Sequence, residues 1–247
     1  LAWSAATSLS DSGRLAFWSG IDFDGDDKFT AIWSRSDGAN YKIETKKVKN
    51  VYKSKDPAYN NLVVVDKENG GKADALNAGI NVSRAPIFCS MDADSVLESD
   101  ALLRAVKPFV DDPGRTIAVG GTVRLANGCE IRDGEGVSTG LSRNLLALFQ
   151  TVEYVRAFLM ARLAWSRIGA LTIISGAFGL FRRGAVIEAG GYTVGTVGED
   201  MELVIKLHKQ FRKASADYRI AYISEPICWT EAPEDLRTLR RQRERWH

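Results

Sequence analysis

The chain has 247 residues, 45% hydrophobic and 26% charged, with a formal net charge of +2. That is enough chain to bury a sizeable core, in one large domain or two small ones, and its bulk charge points to no particular partner. Cys89, Cys129 and Cys228 form no C-x-x-C pair and His208 and His247 are its two histidines, which argues against a zinc centre, a disulfide framework and a Ser-His-Asp triad, and suits a reducing compartment.

No signal peptide opens the chain, and it begins at Leu1 without a Met, as a piece of a longer protein would. Residues 1–44 hold short aromatic-rich stretches, "RLAFWSG", "KFTAIWS" and "NYKIE", broken by "SDSG", "DFDGDD" and "SDGAN", which read as a β-meander. From about residue 45, short apolar strands alternate with longer helical patterns, predicting a mostly parallel α/β sheet. "NLVVVD" reads as a strand, "GGKADALNAGINVS" as a turn and helix, and "PIFCSM" as a strand running into Asp92. "ESDALLRAVKPFV" reads as a helix starting near Ser99 or Asp100, and "TIAVGGTVRL" as one strand or two. "RNLLALFQTVEYVRAFLMARLAW" reads as a long amphipathic helix, suited either to a membrane surface or to the core. The longest apolar run, "FLMARLAWSRIGALTIISGAFGLF", is interrupted by Arg162 and Arg167, so no membrane span is expected. "AFGLFRR" is a strand, "GAVIEAGG" a short helix closed by glycines, and "YRIAYI" a strand. "EDMELVIKLHKQF" is a helix with apolar positions at Met201, Val204, Leu207 and Phe211. "PEDLRTLRRQRERW" is a basic helix with Pro233 near its first turn.

The stretch "SMDADS" places Asp92 and Asp94 one residue apart, straight after an apolar strand. In extended chain the two share a face, and open α/β sheets bind ligands beyond the carboxyl ends of their strands. Two carboxylates there repel unless a cation is near, and a hard divalent ion, Mg²⁺ or Mn²⁺, shared with substrate phosphates, is the natural candidate. The pattern is weak alone, since about one D-x-D arises by chance in a chain this long. "DFDGDD" at 22–27 contains two more; Gly25 and Trp33 disqualify it as an EF-hand, leaving a polar turn.

Three further stretches carry chemistry beside a structural alternative. "ENGGKADALNAG" sets Lys72 at a helix N-terminus that accepts anions, though Ala73 rules out a Walker A loop. "TVGEDMEL" places Glu199 and Asp200 at a helix start, where Thr196 and Glu199 fit a capping box and a carboxylate facing a cleft fits a general base. In "RQRERW", Gln242, Arg245 and Trp246 share one helix face and offer an amide, a guanidinium and an indole to a sugar-phosphate; the rival is a solvated or nucleic-acid-binding basic helix.

In the order "GGKADALN", "DAD", "SGAFGLFRR", "GEDMEL" and "QRERW", residues 45–247 resemble the processive family 2 glycosyltransferases, of the poly-N-acetylglucosamine synthase and cellulose synthase-like branch. The resemblance implies a GT-A fold and inverting transfer from a UDP-sugar, UDP-N-acetylglucosamine or UDP-glucose, to a growing polysaccharide. It further implies that Asp94 binds the metal on the diphosphate, with Asp92 nearer the nucleoside, and that Lys72 contacts the nucleotide. Asp200 is then the base for the acceptor hydroxyl. Gln242 and Arg245 hold the diphosphate end, Trp246 packs on the acceptor sugar, and Ser175, Gly176 and Glu199 line the acceptor side. The intact protein is expected at the cytoplasmic face of the cell membrane and this chain alone to be soluble and cytoplasmic, with no nucleic acid as partner.

The family's "VPAYNE"-like opening strand and "DDGS"-like turn, which form its base pocket, do not occur here; residues 1–44 look instead like one propeller blade. A sheet with an exposed edge and an inactive remnant lacking the nucleotide-base pocket are therefore the alternative expectation, with nucleic-acid binding by the C-terminal basic helix behind it.

Overall fold

The structure is a computed structural model that describes Trp3–Ala5, Trp18–Ser19, Thr30–Ile32 and residues 43–132 and 135–246. The polar turn at 22–27 and most of the blade-like segment 1–44 lie outside the described residues, as do the side chains of Arg245 and Trp246. The chain divides into two compact units: residues 1–93 with 180–210, and residues 94–179 with 211–247.

In the first unit, β5 (Val63–Lys67) alternates buried and half-buried positions, as a strand with one face on a core does. It pairs antiparallel with β4 (Val48–Ser54) on one side and β3 (Thr30–Ile32) on the other. β1 (Trp3–Ala5) and β2 (Trp18–Ser19) complete a sheet of order β1-β4-β5-β3-β2. This differs from the expected parallel setting of "NLVVVD". The connection 55–62 is a short 3₁₀ turn capped by Asp56, and a parallel crossover needs a dozen residues or more. Neighbouring strands cover β5 on both sides, whereas the strand Ile87–Ser90 that leads to Asp92 stands at the end of its own sheet, so the expected open edge falls there.

Next comes α1 (Gly71–Val82), whose inner face buries Leu76, Ala78 and Ile80. Gly70 precedes it because the carboxylate of Asp74 occupies the space a Cβ would need. β6 (Ile87–Ser90) lies beside β11 (Gly179–Arg182), with the rings of Phe88 and Phe181 stacked at 5.6 Å. In α5 (Arg183–Glu188) the buried Arg183 donates from its Nε to the Ile80 carbonyl at 2.9 Å, tying the helix to the end of α1. α6 (Glu199–Lys213) buries Leu203, Val204 and Leu207. Val204 and Leu207 face inward as expected and Phe211 is half-buried, whereas Met201 is exposed and Leu203 takes its place in the core.

The second unit contains β7 (Val96–Leu97), α2 (Ala101–Asp111), β8 (Thr116–Leu125) and the hairpin strands β9 (Glu130–Arg132) and β10 (Glu135–Ser138). β8 is one strand, buried at nine of ten positions. Such a pattern marks a strand covered on both faces. It pairs parallel with β12 (Arg219–Thr230), which pairs antiparallel with β7. Gly121 is needed there, since a Cβ would meet Ile227 Cδ1 at 2.6 Å. The pairing is thus mixed and flanked by helices, in agreement with the α/β, GT-A-like expectation.

The long amphipathic helix forms as α3 (Leu145–Tyr154), a π-helical segment (Val155–Arg162) and α4 (Leu163–Arg167). Asn144 caps it by accepting from the Leu146 and Ala147 amides. Its apolar face divides: Ala147 and Phe158 are buried, whereas Leu145, Phe149, Val152 and Met160 are exposed. Among the described residues, no helix is long and apolar enough to cross a membrane. α7 (Leu236–Trp246) starts three residues after Pro233, so the proline lies outside the helix; Asp235 Oδ1 accepts from the Thr238 amide at 2.9 Å and caps it instead.

Candidate active site

The first unit brings together charged groups from three distant stretches. Lys72 sits in the first turn of α1, Asp92 two residues past β6, and Glu199 at the first position of α6. The Lys72 ammonium pairs with Asp92 Oδ1 and lies 3.4 Å from Glu199 Oε1. Burial works against the charge on Lys72, but Asp92, through both charge and a hydrogen bond, then Glu199 and Asp200, hold its pKa above the ordinary lysine value. Four predicted site residues are thus in mutual electrostatic reach.

The start of α6 differs from the capping-box expectation. The helix begins at Glu199 after Gly198, whose φ of 73° is left-handed, so Thr196 precedes the cap position. Asp200 Oδ1 accepts from the Met201 amide at 2.8 Å. Acidic Glu199, Asp200 and Glu202 in the first turn face the positive end of the helix dipole, as their residue type favours.

Tyr192 was not foreseen. Its amide donates to Asn77 Oδ1 and its carbonyl accepts from Asn77 Nδ2, both at 2.8 Å. Its buried phenol bonds Ser90 at the end of β6, and burial first, with the Asp200 and Glu199 charges adding, pushes its pKa far up. Tyr192 therefore stays a neutral donor or acceptor beside the carboxylates. The only sequence signal was an Asn inside an apolar helix face, which demands a polar partner.

The second unit holds the remaining predicted residues. β6 ends at Ser90 and Ala93–Asp94 form a turn, so the strand alternation invoked for Asp92 and Asp94 stops before Asp94. Asp94 is exposed, and its charge acts on Tyr154 of α3, whose phenol is raised first by burial, with Arg243 opposing and Glu153 and Asp94 adding. Ser175 and Gly176 form a half-buried turn before β11, with Ser175 Oγ accepting from the Ala177 amide at 3.3 Å. Gln242 is half-buried on α7, and the backbone of the same helix carries Arg245 and Trp246.

Among the described residues no cluster of three or more His, Cys, Asp or Glu side chains could hold a metal by itself. Magnesium and manganese commonly take one or two carboxylates and fill the rest with water and substrate phosphates. The exposed Asp94 fits that donor set, and Asp92, the other carboxylate of the pair, is half-exposed and meets the Lys72 ammonium.

Comparison with known proteins decides the family. The model described as "Glycosyl transferase family group 2" matches residues 87–247, well over half the chain.

The chain belongs to glycosyl transferase family group 2.

Within this glycosyltransferase family the chain is 32% identical over 197 residues to the poly-beta-1,6-N-acetyl-D-glucosamine synthase of Staphylococcus aureus, covering 79% of this chain and 42% of that protein. The Staphylococcus epidermidis synthase of the same name is 32% identical over 183 residues, 74% of this chain and 39% of the relative. The chain thus spans less than half the length of the curated relatives it matches. Among solved structures, the Pyrobaculum calidifontis mannosyltransferase PcManGT in complex with GDP-Man and Mn²⁺ aligns with a TM-score of 0.47 at 23% identity, over 72% of this chain and 41% of that one. S. aureus TarS 1-349 in complex with UDP-GlcNAc aligns with a TM-score of 0.39 at 13% identity, over 68% and 41%.

Proposed function

We propose that the chain is the catalytic portion of an inverting hexosyltransferase that moves a sugar from a UDP-sugar, UDP-N-acetylglucosamine or UDP-glucose, to the end of a growing polysaccharide. The observation that carries this reading is the meeting of Lys72, Asp92, Glu199 and Asp200 in the first unit, from motifs more than a hundred residues apart, in a chain of this family.

The chemistry asks for three things, and the residue types supply them. The attacking acceptor hydroxyl must lose a proton, and Asp200, at the mouth of α6, takes it on Oδ1 or Oδ2. Lys72 supplies a fixed positive charge to the nucleotide, at the positive end of the α1 dipole. Asp92 orients Lys72 and faces the nucleoside. Asp94 would hold Mg²⁺ or Mn²⁺ on the donor diphosphate, and such an ion, when bound, neutralises charge that gathers on the leaving group. Gln242 and Arg245 contact the diphosphate end, Trp246 offers its indole to the acceptor sugar, and Ser175, Gly176 and Glu199 line the acceptor. The outward row Leu145, Phe149, Val152 and Met160, with the exposed Arg156 among them, supports association of the intact protein with a membrane surface.

The test is Asp200→Asn. Transfer from UDP-N-acetylglucosamine to an oligosaccharide acceptor falls by about 10²–10⁴-fold, while calorimetry shows UDP still binding in the presence of Mn²⁺. Near-normal turnover in that variant removes Asp200 from the role. Absence of UDP binding in the parent chain favours the remnant without a base pocket.

A further inference from the structure

α7 is an unusual helix to find in a fixed place. Of its described side chains, none is buried; Leu236 is fully outward and Leu239 only half-covered. Helices in proteins are ordinarily held by an apolar face. Here polar contacts from elsewhere in the second unit do that work.

Glu153 of α3 takes the Arg243 guanidinium with both carboxylate oxygens, Nη1 to Oε1 at 2.8 Å and Nη2 to Oε2 at 2.5 Å. One turn earlier, the buried Gln150 donates from Nε2 to the Pro233 carbonyl at 2.8 Å. Asn144 Nδ2 donates to the Glu234 carbonyl at 2.9 Å. Asn127 completes the hold on the approach to the helix, its Oδ1 accepting from the Ala232 amide at 2.7 Å and its Nδ2 donating to the Ala232 carbonyl at 3.0 Å. Gln150 and Glu153, at i and i+3, lie on one face of α3.

The consequence is geometric. Successive residues on a helix turn by about 100°, so a two-point grip on Arg243 fixes the rotation of α7 about its axis. That rotation decides where Gln242, Arg245 and Trp246 face. A single-point contact would leave the helix free to roll, whereas the planar fork of arginine against a carboxylate does not.

We propose that Glu153, seconded by Gln150, is a positioning residue that sets the orientation of the Q-x-x-R-W helix, so that donor affinity depends on a side chain that does not touch the donor. The proposal rests on the reading of Gln242 and Arg245 as donor contacts. The test uses the whole chain and two readouts, hydrogen exchange of backbone amides along 236–246 and calorimetric binding of UDP with Mn²⁺. Glu153→Ala raises exchange along α7 and leaves α6 unchanged, and it weakens UDP by about tenfold, the scale of one lost charge-assisted contact. The charge swap Glu153→Arg with Arg243→Glu recovers both.

Four other outcomes overturn it. Unchanged α7 exchange in a folded Glu153→Ala variant shows that the grip holds nothing. Looser α7 with unchanged UDP affinity makes the contact purely structural. A swap that restores α7 protection but not UDP binding means that Arg243 or Glu153 meets the donor directly. If the parent chain binds no UDP, the donor-site reading falls and takes the positioning role with it, while the exchange data still report the grip.

Discussion

Two lysines five residues apart in the first unit, Lys67 and Lys72, each pair with an aspartate in opposite surroundings. Lys67 and Asp74 are sealed, with side chains 5% and 2% exposed. Lys72 and Asp92 stand open, at 38% and 36%. The sealed pair has further partners: Lys67 Nζ also donates to the Glu68 carbonyl at 2.7 Å, and Asp74 Oδ1 accepts from the Lys46 amide at 2.8 Å. The open pair is shared, since Glu199 and Asp200 also act on Lys72. The residue types are the same. Burial makes the first a fastener between β5 and α1, whereas access to water and ligand leaves the second able to exchange partners.

The sealed pair therefore carries the largest expected change in stability. Asp74→Ala takes from Lys67 its carboxylate partner in the interior and should cost about 3–5 kcal/mol, read as a lower urea midpoint with an unchanged slope. A loss below 1 kcal/mol would mean that Lys67 finds water, and the contrast with the open pair would vanish. The double variant Lys67→Met with Asp74→Leu sharpens the point. With no lone charge left behind, it should lose much less than Asp74→Ala, the difference being the cost of stranding an ammonium rather than the net worth of the pair.

The open pair should behave in the reverse way. Asp92→Asn is expected to shift stability by about 1 kcal/mol or less, as for other exposed ion pairs. Its effect belongs in ligand binding: affinity for UDP with Mn²⁺ should drop by about tenfold, the equivalent of one charged contact. If the urea midpoint falls as far as in Asp74→Ala while UDP binding is kept, Lys72 and Asp92 are a second fastener and not part of a site.

How much of this could be read in advance follows the same division. β6, α1 and α6 were legible because local pattern decides them: an apolar run, a helix opened by glycines, acidic residues in a first turn. Lys72, Asp92, Glu199 and Asp200 could be picked out because charge at the end of an apolar element demands a reason. β4 was not legible, since "VKNVYKS" interleaves Lys49, Asn50 and Lys53 with its apolar residues and shows no apolar run. The other antiparallel partner of β5, β3, could not be read either, because that pairing joins segments some thirty residues apart, whereas the short connection at 55–62 fixes only the pairing with β4. Asp74 gave no warning, as an acidic residue in a first helical turn normally faces water. The grip on Arg243 was hidden for a different reason. Gln150 and Glu153 sit in a helix whose amphipathic pattern drew attention to its apolar residues, and nothing local marks a glutamate whose partner is ninety residues away.

The smallest effect is the pH dependence that Lys72 adds to stability. The folded-state pKa of Lys72 lies above its ordinary value, with Asp92 as the leading favourable cause. A cationic group raised in this way contributes stability in full below its unfolded pKa, about 10.4, and loses it as pH climbs through the folded value. The contribution is small, because a side chain more than a third exposed is screened by water. Lys72→Gln should therefore be slightly less stable than the parent at neutral pH, by the same margin from pH 7 to 9, and the two curves should converge above about pH 10.4. Asp92→Asn, which removes the main partner, should reproduce part of that convergence. Curves for Lys72→Gln and the parent that stay parallel into strong alkali would show that the open ammonium has no carboxylate holding its proton, and Lys72 would then be a tether like any other surface lysine.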